Sequence, residues 1–300
     1  MSASGTPRRI ERVGEVAALC DTVLVDQFGV LHDGHTPYEG AREALIALRG
    51  DGRRVVLVSN SGKRAAANTD RLERLGFGPG CFDLVMTSGE VAHALIRSGH
   101  IALPASHDAR PRCLVIDRGG GREALAGLGL AFTERAEEAD LVVIAGSRAD
   151  EVPLDETMAA LAPAARRGVP ALCTNPDRHM LTPVGIRPGA GAIAALYERA
   201  GGSATWIGKP HAAIYEAIDR ALGGINWSRT LGIGDSAEHD IAGVQAMGGM
   251  GLLVETGVAG VADTAGAADG RDAGGAGGAD GSPHVPSLER PRYVMAALRA

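Results

Sequence analysis

Aromatic residues are scarce in this chain: Phe, Trp and Tyr together make up 3% of its 300 residues. So few rings exclude a stacking surface for bases of the kind that holds single-stranded nucleic acid. Positive charge is not in excess either, with 30 Lys and Arg against 36 Asp and Glu for a net charge of −6, so no overall cationic field draws nucleic acid or an anionic membrane. Cysteine is rare. Cys20, Cys81, Cys113 and Cys173 form no C-x-x-C pair, and runs such as Cys113-Leu-Val-Ile imply buried free thiols, not a disulfide framework. No apolar run approaches a membrane-spanning length, and Met-Ser-Ala-Ser-Gly-Thr-Pro-Arg-Arg lacks the apolar stretch of a signal peptide, so a cytoplasmic location is expected.

What is abundant is small and aliphatic: 45% of the chain is hydrophobic, with 43 glycines and 15 prolines. Short apolar runs alternate with helical patterns. Thr22-Val-Leu-Val-Asp26 precedes a helical pattern over Pro37 to Leu48, where Ala41, Ala44, Leu45 and Leu48 share a face, Pro37 suits the first turn and Gly50 the stop. Val55-Val-Leu-Val58, a polar helix near Arg64 to Leu75, and Leu84-Val-Met-Thr87 follow. Runs of four or five apolar residues without alternation indicate strands covered on both faces. Strands separated by helices predict an α/β fold with a Rossmann-like, doubly wound parallel sheet.

The rhythm repeats at Cys113-Leu-Val-Ile116, Leu141-Val-Val-Ile144 and Pro170-Ala-Leu-Cys173. Helices are expected near Gly189 to Ala200 and His211 to Leu222, and strands near Leu231 to Gly234 and Gly251 to Val254. About 150 residues separate Ser59 from Lys209, too many for a loop and with an α/β pattern of their own, so they hold an inserted domain. The expected division is a core of residues 1–88 and 185–300 with an inserted α/β domain over 89–184. Residues 259–283, almost entirely Gly, Ala and Asp, read as a flexible insertion, and Tyr293, Val294 and Leu298 as a return to the core.

Ligands of an open parallel sheet bind at the carboxyl ends of its strands. Those ends carry Asp26, Ser59-Asn60-Ser61 and Gly234-Asp235-Ser236-Ala-Glu238-His-Asp240, while Gly208-Lys209-Pro210 stands at another strand-to-helix junction. Carboxylates suit Mg²⁺, a lysine and a hydroxyl suit phosphate oxygens, and an aspartate facing a clamped phosphate can act as nucleophile. Each piece alone has a bland alternative: a cap, a turn or plain surface.

Together, Asp26-Gln-Phe-Gly-Val-Leu31, Val-Ser59-Asn60, Gly208-Lys209-Pro210 and Gly234-Asp235-x₄-Asp240 resemble the four motifs of the haloacid dehalogenase-like hydrolase superfamily. Cys173-Thr-Asn175-Pro176-Asp177 with Gly189-Ala-Gly191 is similar to its class IIA branch of sugar-phosphate, nucleotide and pyridoxal-phosphate phosphatases. The resemblance spans roughly Asp21 to Val258. It implies Asp26 as nucleophile and metal ligand, Ser59 and Asn60 on the phosphoryl group, Lys209 as its countercharge, and Asp235 and Asp240 in a Mg²⁺ site with the backbone carbonyl of Phe28. It further implies that the inserted domain is a cap, with Asn175 and Asp177 lining the entrance to the substrate; composition reads Asn175-Pro176-Asp177 equally well as a turn. The expected partner is a small phosphorylated metabolite, and a homodimer through a cap or core surface is left open.

One departure stands out. Where these phosphatases carry a second aspartate, the general acid and base, this chain has Phe28, and a phenyl ring transfers no proton. Turnover is then slow, or the leaving group needs little protonation, or a neighbour such as His32 or Asp33 substitutes. The alternatives to a phosphatase are a catalytically weak phosphate-ester binding protein and a metal-independent dehalogenase, which carries an aromatic at that position. Asp117-Arg-Gly119-Gly-Gly121-Arg-Glu-Ala124 also fits a dinucleotide fingerprint, although no acid follows at the expected distance.

Overall fold

A computed structural model describes residues 6–104, 110–182, 184–257 and 290–300. In chain order its strands are β1 (Arg8–Arg9), β2 (Thr22–Asp26), β3 (Arg54–Ser59), β4 (Leu84–Thr87), β5 (Arg112–Ile116), β6 (Ala131–Thr133), β7 (Leu141–Ile144), β8 (Pro170–Cys173), β9 (His179–Thr182), β10 (Gly185–Pro188), β11 (Ser203–Trp206), β12 (Thr230–Gly234), β13 (Met250–Val254) and β14 (Tyr293–Met295). They build a seven-stranded sheet ordered β1-β14-β13-β12-β2-β3-β4, a five-stranded sheet ordered β11-β8-β7-β5-β6, and the hairpin β9–β10. The chain divides into two compact units. One holds Met1–Val58, Arg71–Val85 and Leu222–Ala300, the other Ser59–Asp70 and Met86–Ala221.

In the first unit the pairings of β2 with β3 and β12, of β12 with β13, of β13 with β14 and of β14 with β1 are all parallel. Both faces of these strands are buried, which is why Val23, Leu24, Val25 and Val55, Val56, Leu57 run without a polar interruption. The helix Ala41–Gly50 buries Ala41, Ala44, Leu45 and Leu48 as its spacing predicts, but starts four residues after Pro37. Pro37 instead bridges His32 in the preceding loop, and Gly40 enters the helix with φ +81°, a conformation that frees the chain from that loop. Tyr293 and Leu298 return to the core as expected, 5% and 1% exposed, while Val294 is half-buried.

The five-stranded sheet of the second unit is parallel throughout. Its strands alternate between two apolar layers: Leu114, Val142, Ile144, Ala171 and Cys173 face one, Cys113, Leu141, Val143 and Leu172 the other. The first layer is covered by Leu161, Ala164 and Ala165 of the helix Leu154–Arg166 and by Ile193, Ala194 and Tyr197 of the helix Ala190–Arg199. Tyr197 donates its hydroxyl to the Val169 carbonyl at 2.7 Å.

Those contacts move the expected boundary. Residues 185–221 group with the inserted sheet, because β11 pairs with β8 and the Ala190–Arg199 helix buries its apolar face there, and Ser59–Asp70 group with it as well. The expected flexible insertion at 259–283 lies outside the described residues. Among the described residues, no helix is long and apolar enough to cross a membrane.

Candidate active site

β2 brings Asp26 to the carboxyl end of the first sheet. On one side Asp26 is in register with Val58 of β3; on the other, Val25 pairs with Ile233 of β12, so Gly234 and Asp235 emerge beside it. After Asp235 the backbone forms a π-helical turn, Ala237–Ile241, rather than an α-helix. The wider turn carries Asp240 back over the strand end, where it packs on Gly234; a β-carbon there would lie 2.2 Å from Asp240 Oδ2. Ser236 N–H donates to Asp240 Oδ2 at 3.1 Å and fixes that carboxylate.

Asp26, Asp235 and Asp240 thus converge, with one carboxylate oxygen of each within 4.8 Å of the others. Asp235 and Asp240 are buried and Asp26 half-buried. At such separations two ionised carboxylates repel by roughly 3–4 kcal/mol at an effective dielectric near 20, so the cluster calls for a compensating cation. An all-oxygen donor set of this kind fits a hard divalent ion and not a soft one.

The loop after Asp26 is shaped around Phe28, whose ring is 38% exposed and lies against Gly34. His32 meets that ring edge to face, with centroids 6.1 Å apart. The Gly34 N–H donates to His32 Nδ1 at 3.0 Å, which puts the proton of the neutral ring on Nε2, an atom buried without a hydrogen-bond partner among the described residues. Burial, with Arg71 nearby, pushes the His32 pKa down to about 4. Asp33 Oδ1 accepts the N–H groups of Thr36 and His35 at 2.7 and 2.8 Å, and these bonds hold its carboxyl below the usual range. Asp33 is therefore a turn residue and His32 a buried neutral ring.

The remaining motif residues fall in the second unit, where three of them meet. Asn60 Nδ2 donates to Asp177 Oδ1 at 2.8 Å and to the Lys209 carbonyl at 3.0 Å, while the Lys209 N–H donates to Asn60 Oδ1 at 2.7 Å. Asn60 thus fixes the backbone of Lys209, which is 5% exposed, and joins it to the Asp177 loop. Ser59 closes β3 immediately before Asn60, and its Oγ accepts the Ser61 N–H at 3.2 Å. Asn175 Oδ1 accepts the Asp177 N–H at 3.1 Å, the self-bonded turn its composition allows. Gly208, at φ +117°, is required at this node because a β-carbon would lie 2.6 Å from Asn60 Oδ1.

The Gly119–Gly121 turn does not form a dinucleotide site. Asp117 Oδ2 accepts the Gly121 N–H at 2.5 Å, placing a carboxylate where a pyrophosphate would have to approach.

Sequence profiles of the haloacid dehalogenase-like hydrolases match residues 23–131 and 108–248. Human chronophin is 33% identical over 256 residues, 82% of this chain and 84% of its own length. A haloacid dehalogenase-like hydrolase from Brucella suis superposes with a TM-score of 0.72 at 32% identity, over 83% of this chain and 90% of that one. Glycerol phosphate phosphatase from Mycobacterium tuberculosis, solved in complex with magnesium, gives a TM-score of 0.66 at 27% identity over 94% of this chain and 77% of that one. With the carboxylate cluster at the end of a doubly wound sheet, these similarities place the chain among the haloacid dehalogenase-like hydrolases, in the class IIA branch: it is an enzyme of that family.

Proposed function

We propose that the protein is a Mg²⁺-dependent hydrolase of small phosphate monoesters, of the sugar-phosphate, nucleotide or pyridoxal-phosphate class, working through an aspartyl-phosphate on Asp26. The convergence of Asp26, Asp235 and Asp240 carries this reading. These carboxylates, with the Phe28 carbonyl, would hold the Mg²⁺, which when bound neutralises the site and polarises the phosphoryl oxygens. An Asp26 carboxylate oxygen attacks phosphorus, the ester P–O bond breaks, and the leaving oxygen departs with its electron pair. Water then cleaves the acyl phosphate, releasing inorganic phosphate and restoring Asp26. Roles for Ser59 and Lys209 at the phosphoryl group, for Asn60 in holding the Lys209 backbone, for Asn175 and Asp177 toward the substrate, and for the second unit as a cap rest on the motif resemblance. The magnesium complex of the glycerol phosphate phosphatase supports the choice of ion. A metal-independent dehalogenase is favoured only by Phe28, and three clustered carboxylates weigh against it.

Phosphate release from a panel of the three substrate classes, with Mg²⁺ and with EDTA, tests the proposal. Release should require Mg²⁺ with at least one class and disappear in a folded Asp26→Asn variant. Unchanged turnover in that variant would remove Asp26 as nucleophile, and halide release from 2-haloacids in EDTA would install the dehalogenase reading.

A further inference from the structure

We propose that Thr256 and Gly257, at the exit of β13, are positioning residues of the cation site: they fix the Asp235 carboxylate in a slot between two glycines. The proposal rests on the Mg²⁺ reading above and adds to the four motifs a segment none of them contains.

Asp235 Oδ2 is walled by backbone on two sides. A β-carbon on Gly29 would lie 2.3 Å from it, and one on Gly257 would lie 2.2 Å from it. Both glycines have positive φ, +84° and +70°, so neither position accepts a side chain without strain, quite apart from the collision. The two walls also touch each other, since the β-carbon of residue 257 would stand 2.7 Å from Gly29 Cα. Thr256 joins them: its hydroxyl donates to the Gly29 carbonyl at 2.5 Å. The segment is anchored from behind, because the Glu255 N–H donates to the Met295 carbonyl at 2.9 Å and the Glu255 carboxylate takes two bonds from Arg9, at 2.9 and 2.7 Å. A buried carboxylate held this closely has few orientations, and one of its two oxygens lies within 4.8 Å of an oxygen of Asp26 and of Asp240.

Mg²⁺ titration calorimetry on the full chain, with melting temperatures in EDTA, reads this directly. Loss of a group that orients a metal ligand typically costs about 10–100-fold in affinity. Thr256→Val should therefore weaken Mg²⁺ binding by at least about tenfold, while Thr256→Ser, which keeps the donor, should bind like the wild type. The EDTA melting temperatures of the two variants should match. Gly257→Ala should weaken binding at least as much as Thr256→Val. Thr256→Val binding as tightly as the wild type would overturn the role of Thr256, and Gly257→Ala doing so would overturn the slot. A wild type that binds no Mg²⁺ would overturn the cation reading itself, a result distinct from equal binding by wild type and variants.

Discussion

In the proposed reaction, Phe28 stands where a general acid would serve. Its neighbours offer little help with proton transfer: the Asp33 carboxylate is committed to two turn N–H groups and His32 is buried and neutral. In the proposed reaction an alkyl phosphate, the ester type of all three substrate classes, should then turn over slowly beside an ester whose oxygen leaves as a stable anion, since general acid–base assistance is worth ~10²–10⁴ in rate where a proton is needed. Phe28→Asp should accordingly raise turnover of an alkyl phosphate far more than that of an aryl phosphate, whose oxygen leaves unprotonated. Phe28 is 38% exposed and lies against Gly34, so the substitution costs little packing and the variant should fold. Comparing kcat for the two esters in wild type and variant checks this; a folded variant that gains on neither would show that proton transfer is not what limits the enzyme.

At the scale of elements, the loop between Asp26 and the Ala41–Gly50 helix carries its own pH dependence through His32. Its folded pKa, about 4, lies below the ordinary value of 6.5, so the unfolded chain takes up a proton first as pH falls. The stability tied to the neutral ring is complete above pH 6.5 and drains away toward pH 4, roughly 2 kcal/mol of it by pH 5. Asp33 opposes the shift and Arg71 adds to it. Denaturant unfolding at pH 7 and pH 5 should show the wild type losing more stability than His32→Gln; equal losses would mean that folding leaves the His32 pKa unshifted.

Other elements divide by how strongly burial marked them. β2, β4, β7 and β8 fall on the apolar runs that announced them because both their faces are covered. β11, Ser-Ala-Thr-Trp, alternates exposed and half-buried at a sheet edge and offers no such run, so the apolar pattern of the inserted sheet ends before it. The three carboxylates were legible because each stands at a strand end or at a fixed spacing from one. Thr256 and Gly257 were not: in a chain with 43 glycines, only the position of Asp235 Oδ2 distinguishes this one.

For the whole molecule, the four thiols sample both units, Cys20 and Cys81 in the first, Cys113 and Cys173 in the second. All are buried and free, and burial pushes every one of them up, Cys20 to about 11 and Cys113 to about 12. A thiol that is both inaccessible and protonated at pH 8 reacts only when its surroundings open, so labelling measures local opening and not intrinsic reactivity. Cys113 and Cys173 lie within β5 and β8, inside the five-stranded sheet, and their exposure requires that sheet to separate. Cys20 precedes β2 and Cys81 precedes β4, both outside regular structure, where smaller openings suffice. Native protein treated with an aromatic disulfide at pH 8 should thus react slowly, Cys20 and Cys81 before Cys113 and Cys173, and all four at once in guanidinium. Peptide mass mapping of the labelled sites reads the order directly. Immediate native labelling of Cys173 would contradict the packing of Tyr197, Leu161 and Ile193 on its face of the second sheet, and immediate labelling of Cys113 would contradict the burial of the other face beneath Ile96, Leu125 and Leu130.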